Sequence, residues 1–237
     1  MAEESDRIAD LIRALADPDK KTIRRAVDAL VELAKTAPDV SVEIAAAMAR
    51  APADQRWPMA YALAEIAPPS DACCQALERS LDAPDPDIRW AVVVLLARLA
   101  RAPASPILSR LVELSNRGSA TQRRMALYAL RDSGASDARA PQALRAALGD
   151  SDALVRVAAL TSLKIFPEAG RAAVDEILRV LENDPDVRVR ASAALALAHS
   201  GAPDAAIRPA LERAAASGDA TVAKAARAAL EILKKKS

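Results

Sequence analysis

The chain has 237 residues, with 33 basic and 32 acidic side chains and a formal net charge of +1, so its overall charge gives no pull toward nucleic acid or an anionic membrane. Hydrophobic residues make up 52% but aromatics only 2%, which suits close-packed helices with small contact residues better than a bulky globular core. Two adjacent cysteines, Cys73 and Cys74, cannot build a disulfide framework, and the longest apolar run, Trp90 to Ala97, is too short to span a bilayer.

In chain order, Ser5 is placed to cap a first helix whose Ile8, Leu11, Ile12 and Leu15 form one stripe. It reads as a half-repeat, a second-type helix without a first. Asp17 to Arg24 opens the first full repeat, with one residue more than later copies and a helix reaching about Lys35. Pro38 and Asp39 turn the chain into a shorter helix, Ser41 to Arg50. Asp54 is the expected cap of the next helix, which makes Pro58 its fourth residue and removes at most one hydrogen bond. Pro68 and Pro69 then separate it from the helix carrying the cysteines. Pro106, Pro141 and Pro209 each stand near the start of a second-type helix, and all six glycines fall in predicted turns or helix ends. The last helix runs from about Thr221 to Lys235, and Lys234, Lys235 and Lys236 complement the negative end of its dipole.

One grammar recurs through these elements. Asp184-Pro185-Asp186 is followed by Val189-Arg190 and small residues ending in Ala196-Leu197; Asp152 with Arg156 and Leu163 repeats it, as does Asp85 with Arg89 and Leu96. Weaker copies place the arginine at Arg24, Arg56 and Arg123, and the last has Ala223 instead. Successive spacings of 32, 33, 34, 33, 34 and 33 residues mark a solenoid. Arginines one period apart stack into a ladder, each near the capping aspartates of its own or the adjacent repeat.

This grammar resembles the HEAT-like repeats of the phycobilin-lyase type, over essentially residues 5 to 235. The resemblance implies an all-α, right-handed α-solenoid of about seven helix pairs with a period of about 33 residues. On that reading residues 1–237 are a single array, with a capping helix over 1–16, six helix-pair repeats over 17–218 and a terminal helix over 219–237. Such repeats serve as adaptors, scaffolds, chromophore-lyase subunits and, more remotely, enzymes.

The residues carry little chemistry. His199 is the only histidine, the two cysteines lack further metal ligands, and there is no phosphate loop or nucleophile motif. Some HEAT-like hydroxylases hold iron through His-Glu pairs; none is present, so that activity is not carried over. No catalytic residue, metal site or cofactor is expected.

Aligning the repeats isolates one constellation. With the residue before each repeat arginine at 0° and about 100° per residue, the buried stripe centres near 30° and the positions one and five after the arginine point away from it. Trp57 and Tyr61, Trp90 and Val94, and Arg124 and Tyr128 occupy those positions in three consecutive repeats. Positions nine after the arginine add Glu65, Arg98 and Asp132. In proteins that resemble this one the Val-Arg helices line the concave side. Carried over, that places Trp57, Tyr61, Trp90, Val94, Met125 and Tyr128 in one groove bordered by Arg98, Arg124 and Asp132. The alternative is that these aromatics fill gaps in a curved array or cover the irregular helix at Pro58.

The expected function is therefore a non-catalytic cytoplasmic adaptor that holds a protein or peptide partner in its concave groove, with no nucleic acid and no membrane as partner and self-association left open. The acidic, polar start, Glu3 to Asp6, is no secretory signal. Two alternatives stand beside it. One is an accessory subunit of a bilin lyase-like enzyme; the other is a HEAT-like nucleic-acid-binding protein, for which Asp132 with Arg98 and Arg124 would be the site.

Overall fold

The structure is a computed structural model and describes residues 2–102, 105–134 and 137–235, with side chains from residue 5 onward; Lys236 of the expected basic tail lies outside these residues. Among the described residues there are fifteen α-helices, two 3-10 turns and no strand. Two compact units, Met1–Leu95 and Leu96–Ser237, divide the chain.

The first unit contains α1 (Ala2–Ala14), α2 (Lys20–Leu33), α3 (Asp39–Arg50), α4 (Trp57–Ile66), α5 (Asp71–Ser80) and the start of α6 (Pro86–Ala100). The second continues with α7 (Pro106–Arg117), α8 (Ala120–Ser133), α9 (Arg139–Ala146), α10 (Ala153–Leu163), α11 (Pro167–Ala172), α12 (Val174–Asn183), α13 (Val187–His199), α14 (Asp204–Ala215) and α15 (Ala220–Lys234). Helices bearing the repeat arginine position stack on one another, α2 on α4 in the first unit and α8, α10, α13 and α15 in succession in the second. Second-type helices form their own layer, α1 against α3, α7 against α9 and α12 against α14. The architecture is the helix-pair succession of an α-solenoid.

The reason for these helices lies in their first turns. Asp19, Asp152, Asp186 and Asp219 sit in extended backbone at the N-caps of α2, α10, α13 and α15, and each accepts hydrogen bonds from the exposed amides that follow. Small residues then let the helices approach closely. Ala60, Ala62, Leu30, Ile44 and Leu77 are fully buried in the first unit, and Val155, Leu160, Ala193, Leu197 and Leu211 in the second.

The arginines tie one repeat to the next. Arg156 donates to both oxygens of Asp184 at 2.7 and 2.8 Å and to the Asp150 carbonyl at 2.8 Å. Arg123 does the same with Asp150 at 2.7 Å on each arm, and Arg190 reaches Asp219 at 3.2 Å. The partner is the acid of the following repeat, because the arginine's own capping aspartate is spent on helix amides: Asp152 accepts from Leu154 and Val155. In the first unit Arg56 donates to the Ala51 and Ala49 carbonyls and Arg89 to those of Ala83 and Pro84, the backbone just before their own helices.

Local departures from expectation have local causes. Helix α1 begins at Ala2, so Ser5 lies inside it and caps nothing; α3 begins at Asp39 rather than Ser41, whose hydroxyl instead donates to the Pro38 carbonyl. Pro209 sits inside α14 rather than at its start. Gly170 is buried within α11 and not in a turn: a Cβ there would stand 3.0 Å from the Ser200 Cα, so only glycine lets α11 lie directly on the end of α13.

Candidate functional site

Helix α4 is the irregular member of the first-type layer. It has 10 residues, against 14 in α2 and 15 in α6. Asp54, expected as its cap, lies in a 3-10 turn over Ala53–Gln55, and the helix starts only at Trp57. Pro58 explains the delay, because a proline without an amide is accommodated where helical amides have no partner, so the helix opens to place it second rather than fourth. The missing first turn leaves a cleft between α2 and α6 with α4 as its floor.

That cleft measures about 560 Å³. Its floor is the i, i+4 stripe Trp57, Tyr61 and Glu65, with both rings half-buried. The α2 wall presents Ile23, Val27 and Val31 beside Lys20, Arg24 and Asp28; the α6 wall presents Asp87, Ile88 and Ala91. One end is strapped shut by Lys20, whose Nζ lies 2.5 Å from Asp85 and 2.7 Å from Asp87. Its bonds to Asp85 and Asp87 raise the Lys20 ammonium above its ordinary value, and the same lysine holds the Asp85 carboxyl below its own. Arg24, expected in the ladder, faces the cleft instead.

Behind α4, Cys73 is buried with its Sγ 3.0 Å from the Ala60 carbonyl, and burial pushes its thiol up to about 12. That is a packing residue and a poor nucleophile. Among the described residues no three His, Cys, Asp or Glu side chains gather as a metal site, and no helix is long and apolar enough to cross a membrane.

The residues singled out from sequence divide between the two units. Trp57 and Tyr61 share the cleft of the first; Trp90 and Val94 lie on the outer face of α6, 42% and 61% exposed. Arg98, Arg124, Tyr128 and Asp132 belong to the second unit. There Arg131 lies 4.9 Å over the Tyr128 ring and forks onto Asp132 at 2.6 and 3.0 Å, while Arg101 donates to the Asp132 carbonyl at 2.8 Å. Arg124 is half-buried, its Nε without a hydrogen-bond partner. Met125 does not line a groove: it is 3% exposed, because two positions after the repeat arginine is already the edge of the buried stripe. The α2 residues Lys20 and Asp28 escaped the repeat alignment and Arg24 entered it only as a ladder arginine, because the outward positions fall one residue further along that helix. The extra residue in the first repeat was the available signal.

Residues 141–231, from within α9 to the last turns of α15, match the family described as HEAT repeats. No curated protein matches the chain. Among solved structures, a Kap121p mutant superposes with a TM-score of 0.63 at 15% identity, covering 95% of this chain and 29% of its own. A designed armadillo repeat protein in complex with the peptide (KR)4 gives 0.47 at 18% identity, covering 94% and 98% respectively. Human deoxyhypusine hydroxylase gives 0.44 at 18% identity, covering 99% and 98%.

Proposed function

We propose that the chain is a non-catalytic scaffold and that a short segment of a partner protein seats in the cleft over α4. The observation that carries this is the cleft itself: a Trp57–Tyr61 floor between walls that present both aliphatic and charged side chains, in a chain that has only two tryptophans and two tyrosines. A volume within the roughly 300–1,000 Å³ of ordinary ligand sites takes a few side chains of an extended segment. Tryptophan and tyrosine are the residues that most often dominate such contacts. Trp90 and Val94, exposed on α6, do not line the cleft. The bilin-holding and nucleic-acid alternatives rest on sequence pattern alone, and the second is disfavoured by Asp132 being engaged by Arg131.

The test is selection of random twelve-residue peptides displayed on phage against the full chain, followed by affinity measurement on the Trp57→Ala variant. Its far-ultraviolet dichroism should match that of the unsubstituted chain. Selected peptides should lose about thirtyfold in affinity, as for a central aromatic anchor. Peptides that bind the variant as tightly as the parent chain would place their site elsewhere and sink the proposal.

A further inference from the structure

The near-neutral charge of the chain conceals a division: residues 1–95 hold 11 basic and 17 acidic side chains, residues 96–237 hold 22 and 15. Within the positive second unit, the stacked helices α8, α10 and α13 contain six arginines and a single carboxylate, Asp132. Five of the six already hold an acid, three as ladder rungs, Arg131 on Asp132 and Arg188 on Asp186. Among the described residues the sixth, Arg124, holds none, and its half-buried side chain leaves Nε buried without a hydrogen-bond partner. A guanidinium partly withdrawn from water with nothing bound is costly, and in turning toward a ligand it has no hydrogen bond to lose. The stripe beside it carries no charge. Arg124 lies one position after its repeat arginine; the matching residue of the next helix, α10, is the half-buried Val157, with Leu154 and Ile165 on the same side. Among the described residues of the second unit, these two are the large aliphatic side chains left exposed. On α13 the stripe continues with Ala191 and Leu195.

We infer that this face of the second unit docks a segment of a partner protein that carries an aspartate or glutamate beside apolar residues. The carboxylate takes Arg124, as carboxylates take the other five arginines, and the apolar side chains cover Leu154, Val157 and Ile165. Charge complementarity sets the sign of the partner, because a unit with surplus positive charge draws in an acidic segment and repels a basic one. A nucleic-acid strand needs a row of uncommitted cations to follow its phosphates, whereas here a single arginine borders an uncharged stripe. The face lies wholly within the second unit and stands independently of the cleft over α4.

The experiment selects random twelve-residue peptides displayed on phage against the full chain carrying Trp57→Ala, which removes binders of the cleft. The selected sequences should pair an aspartate or glutamate with leucine, isoleucine, valine or phenylalanine. Replacing that acid by its amide should weaken binding about tenfold or more, as expected for a charge-assisted fork. Arg124→Gln should lose the same factor and no longer distinguish acid from amide, while Arg124→Lys keeps the distinction. Ile165→Ser should weaken the same peptides, and restoring Trp57 should leave their affinity unchanged. Failure to select such peptides, or affinity indifferent to Arg124→Gln, overturns the inference. So does a single-stranded oligonucleotide that binds through Arg124 more tightly than the peptides do. Either result leaves the Trp57 dependence of cleft-binding peptides, and with it the scaffold reading, to be judged on its own.

Discussion

Removing one partner of the Arg156–Asp184 rung gives the sharpest test of what holds the second unit together. The two side chains are 11% and 6% exposed, and the guanidinium fork takes both carboxylate oxygens at 2.7 and 2.8 Å while bonding the Asp150 and Ser151 carbonyls. Asp184 also accepts the Asp186 amide at 2.9 Å, so the pair fixes the loop that opens α13. Asp184→Ala leaves a buried guanidinium without its counter-charge and frees that amide. Full burial would cost about 3–5 kcal/mol; with slight residual exposure and two carbonyl partners remaining, about 2–4 kcal/mol is expected. At about 2–4 °C per kcal/mol for a unit of this size, the melting midpoint should fall by roughly 5–15 °C. Urea titrations of Arg156→Ala, Asp184→Ala and the double variant, followed by circular dichroism, give the coupling directly. It should survive high salt, which screens exposed pairs far more than buried ones. Arg179→Ala, an exposed change on α12, serves as the control and should move the midpoint by no more than the error. A coupling near zero, or single losses no larger than the control's, would refute the rung as a stabilising contact.

Two further outcomes follow from the same geometry. Burial draws the Asp150 carboxyl upward, but the Arg123 fork and the Asp152 amide more than reverse this; Arg145 likewise holds Glu176 below its ordinary range. Both carboxylates bind protons more weakly folded than unfolded, so their stabilisation is complete above about pH 4–5 and is lost as pH falls through the depressed folded values. The urea midpoint should therefore stay level from about pH 7 to 5 and drop below about 4, less steeply in Asp150→Asn; a decline already under way above pH 5 would contradict this. Gly170→Ala should destabilise by about 1–3 kcal/mol despite alanine's better helix propensity, because its methyl meets the Ser200 backbone. A higher melting temperature for that variant would show that α11 can shift aside.

Much of the fold was legible because the repeat is written in residues whose physics is local. An aspartate four residues before Arg156 or Arg190 caps its own helix wherever the rest of the chain lies. The arginine was legible as a rung, but which acid it meets was not. Its nearest aspartate in sequence is occupied by amides, and only the stacked loop brings Asp184 to Arg156 across 28 residues. The cleft was half legible. Trp57 and Tyr61 declare themselves by facing away from the packing stripe, whereas Lys20, Arg24 and Asp28 enter because α4 lacks a turn and α2 has gained a residue. A repeat alignment averages over such departures, and this site is made of them. Met125 was misplaced by the same averaging, since one helical position separates a lining residue from a core residue.

The direction of the rungs bears on how such a chain can change its length. Arg123 binds Asp150, Arg156 binds Asp184 and Arg190 binds Asp219, always from one repeat to the acid that opens the next. A duplicated or excised period therefore brings its own acid for the preceding arginine and its own arginine for the following acid, so a splice at the repeat boundary strands no charge. Only a cut within a period separates donor from acceptor. Recombination in whole units is thus electrostatically silent in the second unit, whereas in the first the Lys20 strap skips a repeat to reach Asp85 and Asp87, fixing the number of helices between them. The region with the cleft cannot lengthen without dismantling it; the ladder of the second unit can.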